Sequence, residues 1–276
     1  MMNTFPRHTK IVLGLLAFLP VYFAVAALGT KLGLWNWQFG LMALTFTGGM
    51  IVLGVVALAA LVSLILAVRM TPRRNSLLAV GIIGLLVPGA ALVMFMAAGS
   101  KAGDNPIHDI ATDTGNPPVF SAGTMEARAK AKANPVSDYQ VPLGQLEPYQ
   151  TAFAKNPGSK ALAVKSHAQI ITARKDRPAP LPLGGAGKAE GLAAVAAAMG
   201  AMGLSDIRTD QEIGIVEGVA ESFWFGFKDD VVARVGDSQI DFRSVSRVGI
   251  SDLGANAARI AELRERTETL LGSASR

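Results

Sequence analysis

The sequence predicts an α+β domain carried on three membrane-crossing helices. Three observations lead there. Residues 1–100 hold long apolar runs and no Asp or Glu. Residues 213–248 repeatedly alternate apolar and polar side chains, the period-two pattern of half-buried strands. Residues 253–270 place apolar side chains every three or four positions, the spacing of one helix face. The expected division is an anchor over 1–100 and an extracytoplasmic domain over 101–276.

The anchor comes first. Residues 11–30, 32–68 and 76–98 are free of charge. A span needs about 20 apolar residues to cross a hydrocarbon core of about 30 Å, and each run supplies them, the second over roughly 44–68. Backbone groups inside a bilayer must bond internally, so each is expected as a helix. Trp35 and Trp37 stand between the first two spans, where an interfacial aromatic belt forms. Arg7 and Lys10 precede the first span, and Arg69, Arg73 and Arg74 separate the second from the third. The opposite side receives Lys31 and Lys101. The positive-inside rule therefore puts the N-terminus in the cytoplasm and residues 101–276 outside, in the periplasm of the cell envelope, with the inner (plasma) membrane as the home of a multi-pass protein. Met1–Ala26 also reads as a cleaved signal peptide ending at Ala24-Val25-Ala26, an alternative that leaves the domain on the same side. No Asp, Glu or Lys interrupts a span, which argues against a transporter or pump.

Charge excludes a second class. The chain carries 26 basic and 21 acidic residues, net +5. Six of the basic residues lie in 1–100, which leaves 20 against 21 in the rest. The soluble part has no positive excess to meet phosphates, so no nucleic acid is expected as a partner. Cysteine is absent, which excludes disulfides, thiolate metal sites and a Cys nucleophile.

Along the domain, the first half of 107–120 is expected as a short strand and 124–133 as a short exposed helix. Residues 134–148, with three prolines, read as irregular. Tyr149–Lys155 is a helical turn, 161–173 a strand through Val164, Ile170 and Ile171, and 175–187 a loop. Lys188–Met202 is a buried helix closing at Gly203. Ile213, Ile215, Val219, Phe223 and Phe225 mark one long strand. Glu217 and Glu221 share its phase, which points to a bulge or to two differently buried ends. Residues 226–230 turn the chain into a second strand over 231–235. Gly236-Asp237-Ser238 is a hairpin signal before a third strand over 239–248. Ser251 or Asp252 caps a last helix with Leu253, Ala257, Ile260, Leu263, Thr267 and Leu270 in one stripe.

The densest chemistry falls between positions 240 and 259. Asp241, Arg243, Ser244, Ser246, Arg247, Asp252, Asn256 and Arg259 crowd there. On a strand, Ser244 and Ser246 share one face, and Asp241, Arg243 and Arg247 the other. Arg243 and Arg247 lie ~13 Å apart at ~3.3 Å per residue, too far to grip one phosphate but suited to an extended anionic ligand or to two ion pairs. The candidate partners for such pairs are Glu217, Glu221, Asp229 and Asp230. The eight residues are therefore either a ligand-binding surface or the clasp of the fold. Asp229 and Asp230 point oppositely if extended and do not form a catalytic dyad; a turn role suits them. Asp252 reads as a helix cap.

Secondary candidates are His108, Asp109 and Asp113, the one histidine in acidic company. Nothing in their spacing fixes the three converging ligands a metal site needs, so no metal is expected. His8 and His167 read as incidental. Gly184–Lys188 lacks the first Gly and the final Ser or Thr of a phosphate loop, since Pro182 and Ala189 stand there, and its dinucleotide pattern fails at Glu190. Gly249–Gly254 is one residue too long for a nucleophile elbow. No cofactor is expected.

Several of these stretches together, Ile107–Asp113 with Pro117–Phe120, Phe225–Asp230, Asp241–Gly249 and Ser251–Asn256 with Arg259, resemble domain-of-unknown-function family 1499. The resemblance covers about residues 104–270. It implies a fold and a set of marked residues, in bacterial proteins that are membrane-anchored or exported, and no reaction. The expectation is a protein that uses the 243–256 surface to bind an envelope protein or an anionic envelope ligand without catalysis. Two alternatives stand beside it: an envelope hydrolase using Ser244 or Ser246, and a structural subunit of a membrane complex that meets its neighbours through the three helices.

Overall fold

The computed structural model describes residues 7–69, 74–154 and 157–274. Arg73 and the end of the turn expected over 149–155 lie outside them. The chain forms two compact units, residues 1–100 with 222–226, and residues 101–221 with 227–276.

The first unit holds three long apolar helices: α1 (Arg7–Lys31), a second that starts as a π-helix over Gln38–Gly48 and continues as α2 (Gly49–Arg69), and α3 (Arg74–Asp104). Each is long and apolar enough to cross a membrane. The second begins at Gln38, inside the uncharged 32–68 run and earlier than the roughly 44–68 expected to cross. Thr45 and Thr47 donate their hydroxyls to the carbonyls of Gly40 and Met42, five residues back. Close packing uses small residues. A Cβ on Gly84 would stand 2.7 Å from that of Ala60, and one on Gly29 would enter the Trp35 ring.

The second unit is built on one antiparallel sheet in the order β1-β6-β5-β4-β3. Its strands are β1 (Asp109–Ala111), β2 (Leu181–Pro182), β3 (Ser205–Asp210), β4 (Ile215–Glu221), β5 (Lys228–Val235) and β6 (Gln239–Ser246). Strands β3 to β6 form the expected meander, with one strand more than the alternation showed. Both β1 and β2 lie along the outer edge of β6. Shorter helices α4 (Ala122–Lys130), α5 (Glu147–Ala154), α6 (Lys160–Ala163) and α7 (His167–Thr172) precede α8 (Lys188–Ala201) and α9 (Ala255–Ala274).

The two faces of the sheet differ in chemistry. Val195, Ala198 and Met199 of α8 and Ile260 and Leu263 of α9 join Val216, Val231, Ala233, Ile240 and Phe242 in one apolar core. The opposite face carries the small cluster Phe120, Ile215, Val232 and Val245, and around it a row of charged groups.

Several expected elements change. Residues 161–173 form α6 and α7, not a strand. Their β-branched residues suggest extension, but Ser166 and Gln169 close a capping box that starts a helix, and Val164 stays exposed. The long strand over 213–225 is β4 alone and stops at Glu221. Asp229 and Asp230 belong to β5 rather than to a turn. The stripe of α9 ends on Leu271, while Leu253 precedes the helix at a positive φ of 55° and is exposed.

Candidate functional site: a polar clasp on both faces of β6

The alternation of β6 sends its polar side chains to both sides of the sheet, and each side is tied to a different part of the chain. On the helix face, Ser244 Oγ donates to Asn256 Oδ1 at 2.6 Å. The Asn256 amide donates to Ser246 Oγ at 3.0 Å and to the His108 carbonyl at 2.9 Å. Arg259 donates to Ser244 Oγ, to Asn256 Oδ1 and, at 2.7 Å, to Asp229 on β5. Asn256 is thus the hub that holds β1, β6 and α9 together, with every polar atom of its side chain used. That helix begins at Ala255, three residues after Asp252, one of the two residues expected to cap it. The Asp252 carboxylate accepts from the backbone N–H of Gly254 and Asn256, while burial raises its pKa against those bonds.

On the other face, Arg243 reaches Asp109, two places along on the neighbouring β1. Its Nε and Nη2 meet the two carboxylate oxygens at 3.0 and 2.7 Å, and its remaining donors take the carbonyls of Pro118 and Ser137. Tyr139 donates to Asp109 at 2.5 Å, and its ring lies 4.9 Å from the guanidinium. Burial alone would raise the Asp109 carboxyl, but the Arg243 charge and hydrogen bonds hold it at about 2. The same burial works against the Arg243 charge, and Asp109 overrides it, so the guanidinium pKa is raised.

Arg247 is held by Asp230, whose buried carboxylate also accepts from Arg128 of α4. The hydrogen bond to Asp230 is the main cause that raises the Arg247 pKa. Arg128 continues to the carbonyl of Asn134, and Asn134 bonds back to the Arg247 carbonyl. Asp241 accepts from Thr112 and from Arg234, which also pairs with Asp113 at 3.1 Å. Arg247 therefore finds one of the partners named from the sequence, whereas Arg243 pairs with Asp109, which was weighed only as a metal ligand. Glu217, in phase with the apolar Ile215 and Val219, is buried beneath α4. It accepts from Ser121 and Thr124 at the start of that helix.

Sequence reasoning singles out His108 but misses Tyr139, Tyr149 and His167, the rest of the aromatic and imidazole part of this network. Behind Asp109, His108 Nδ1 lies 2.9 Å from Tyr149 Oη, which lies 3.2 Å from His167 Nε2. His167 stacks on Tyr139 with centroids 5.3 Å apart. Burial lowers both imidazole pKa values, that of His167 to about 4 despite the nearby Asp109 charge, so both rings are neutral at pH 7. Burial likewise raises both phenols. His108 Nε2 and His167 Nδ1 are buried without a hydrogen-bond partner. Rarity was the available signal: the chain has three tyrosines and three histidines, and two of each meet here.

The chemistry of the arrangement follows from burial. His108, His167, Tyr149, Asp109, Ser244 and Asn256 are fully buried, and Arg243 is 3% exposed. Groups so enclosed meet no ligand from solvent in this conformation. Ser244 Oγ faces an amide and a guanidinium, neither of which accepts a proton as a general base. Among the described residues no group of three or more His, Cys, Asp or Glu is placed to hold a metal ion. Arg259 reaches the surface, where Met202, Leu204, Glu221, Ala258 and Glu262 join it around an open groove of about 320 Å³.

No curated protein and no solved structure matches the chain. The family described as protein of unknown function (DUF1499) matches residues 109–266, from the aspartate of the clasp to the middle of α9. That is more than half of the sequence, and the chain belongs to this family.

Proposed function

We propose that the protein is a multi-pass inner-membrane protein of the cell envelope whose 101–276 domain binds a partner protein outside the cytoplasm and catalyses no reaction. In this reading the 241–259 stretch is the clasp that makes the domain rigid, and the binding surface is the groove at its edge. One observation carries it. The motif's buried polar groups are consumed internally, while Arg259, tied to Asp229, forms one wall of an open groove. The groove combines Met202, Leu204 and Ala258 with Arg259, Glu221 and Glu262. Charges of both signs among apolar side chains suit a protein surface better than a free anion.

A photo-crosslinking residue in place of Glu262, which is exposed, tests this in native membranes. A discrete adduct is expected, and Ala258→Trp, which fills the groove from an exposed helix position, should abolish it. An adduct that persists in the Trp variant overturns the groove as the site. Orientation is tested separately. The chain has no cysteine, so a single Cys at Arg74 or at Glu265 reports its own side. An impermeant maleimide added to intact spheroplasts is expected to label position 265 and spare 74.

A further inference from the structure

The segment Ser222–Gly226, Ser-Phe-Trp-Phe-Gly, clusters with the three apolar helices and belongs to that unit. It follows β4 and precedes β5, and its sequence carries no charge. Phe223 and Trp224 are 72% and 54% exposed, and their rings meet edge to face at 5.2 Å. Such a pair of large side chains is unusual on a surface that faces water alone.

Its position along α1 is fixed by contacts. Lys31 Nζ, at the end of α1, donates to the Phe223 carbonyl at 3.0 Å and lies 5.5 Å from the Phe223 ring centroid. Gly226 turns the chain there with φ +66°, its Cα hydrogen side against the Lys31 stem, where a Cβ would come within 3.1 Å of the Lys31 Cα. Trp224 and Phe225 line a groove of about 190 Å³ with Ala27, Phe23 and Thr45. Ala27 lies four residues inside the helix from Lys31, roughly 6 Å along its axis at about 1.5 Å per residue. Amphipathic elements that lie in a membrane interface reach about 5–10 Å into the headgroup and acyl boundary. Trp35 closes the same end of α1, its indole N–H donating to the Ala26 carbonyl and to Thr30. An aromatic ring with a cation beside it at a helix end is the pattern of an interfacial belt.

We propose that Ser222–Gly226 is a membrane-interface anchor: Phe223 and Trp224 enter the headgroup–acyl boundary on the Lys31 side of the bilayer, and the lipid is their ligand. The proposal rests on the reading that the three helices cross a bilayer. The anchor makes the hairpin between β4 and β5 a fourth attachment to the membrane, one formed by side chains rather than by a span.

The test uses the full chain in lipid vesicles. Trp35→Phe with Trp37→Phe leaves Trp224 as the one tryptophan, since the sequence has three. Bromines placed near the headgroup end of the acyl chains should quench Trp224 strongly, midplane bromines weakly, and aqueous iodide little. Quenching by iodide and not by brominated lipid overturns the proposal. So does protection from both, which signals a protein occupant or a second copy. Where the Trp35 substitution disturbs α1, the difference between the wild-type chain and Trp224→Phe carries the same readout. Flotation with vesicles after an alkaline carbonate wash reports the spanning reading by itself. A chain that floats but shows an iodide-accessible Trp224 refutes the anchor alone; a chain that does not float refutes both.

Discussion

Replacing Arg243 with Met keeps the length of the side chain and removes its charge. The variant leaves Asp109 buried with Tyr139 and the Ser137 N–H as its remaining donors. Both members of the wild-type pair are almost wholly enclosed, at 4% and 0% side-chain exposure. Breaking such a pair from one side costs about 3–5 kcal/mol, because the surviving charge is stranded. The pH dependence makes this cost diagnostic. In the wild-type protein the Asp109 pKa is depressed from 3.8 to about 2. Its contribution, roughly 2 kcal/mol, is present above pH 3.8 and lost as pH falls through 2. Without Arg243, burial dominates and raises the carboxyl above 3.8, so protonation now favours the folded state. The penalty of the substitution should be largest at pH 7 and shrink steadily towards pH 3. Urea unfolding of the full chain in detergent, followed by the near-ultraviolet dichroism of the buried tyrosines, reads this directly. Asp109→Asn with Arg243→Met should recover part of the loss. A penalty below about 1 kcal/mol, or one that does not change with pH, would refute the clasp, since typical surface ion pairs lie in that range.

Three further outcomes are expected. His167 has its pKa lowered from 6.5 to about 4, so its neutral form is favoured by folding. Stability should be complete above pH 6.5, fall by up to roughly 3 kcal/mol between pH 6.5 and 4 and level off below, and His167→Gln should flatten that part of the profile. Asn256→Ala removes the side-chain bonds to Ser244, Ser246, Arg259 and the His108 carbonyl, which keeps the Ser246 N–H, at a cost of about 2–3 kcal/mol by thermal unfolding, whereas exposed Glu265→Ala should cost less than about 0.5 kcal/mol. Gly214→Ala meets a positive φ of 77° and places a Cβ 2.9 Å from the Val235 carbonyl, so it should cost more than about 1 kcal/mol, measured the same way.

Elements with strong local patterns were legible. The three apolar runs, the Ala-rich α8, the alternation of β6 and the spacing of α9 are local signals, and each yields the expected type of element, though the second span begins earlier and α9 later than the pattern indicates. The motif stretch stands out as the polar-crowded part of the chain from its composition alone. Its wiring was not, because the partners lie far away: 134 residues separate Asp109 from Arg243, and 102 separate Arg128 from Asp230. Spacing carries no information at that range. Two misreadings have local causes. Phe223 and Phe225 continue the alternation of β4 beyond its end, so a loop imitates a strand. Val164, Ile170 and Ile171 favour extension intrinsically, and only the Ser166–Gln169 box opposes them. His167 passed as incidental for the same reason, since a strand there would never have brought it beneath Tyr139.

The pairing of β1 with β6 also sets the order of biogenesis. Asp109 leaves the ribosome soon after the third apolar helix, but its strand partner spans Arg243–Val245. At about 5–20 residues per second, the gap of 134 residues takes roughly 7–27 s to synthesise. Until then β1 has no ladder, Asp109 has no counter-charge, and the hub at Asn256 has not been made. The nascent domain must therefore wait, open to proteases, for nearly its last helix. A chain terminated before β6 loses the strand against which β1, β2 and β5 all pair, so late truncations should be cleared by quality control rather than accumulate as shortened, folded protein.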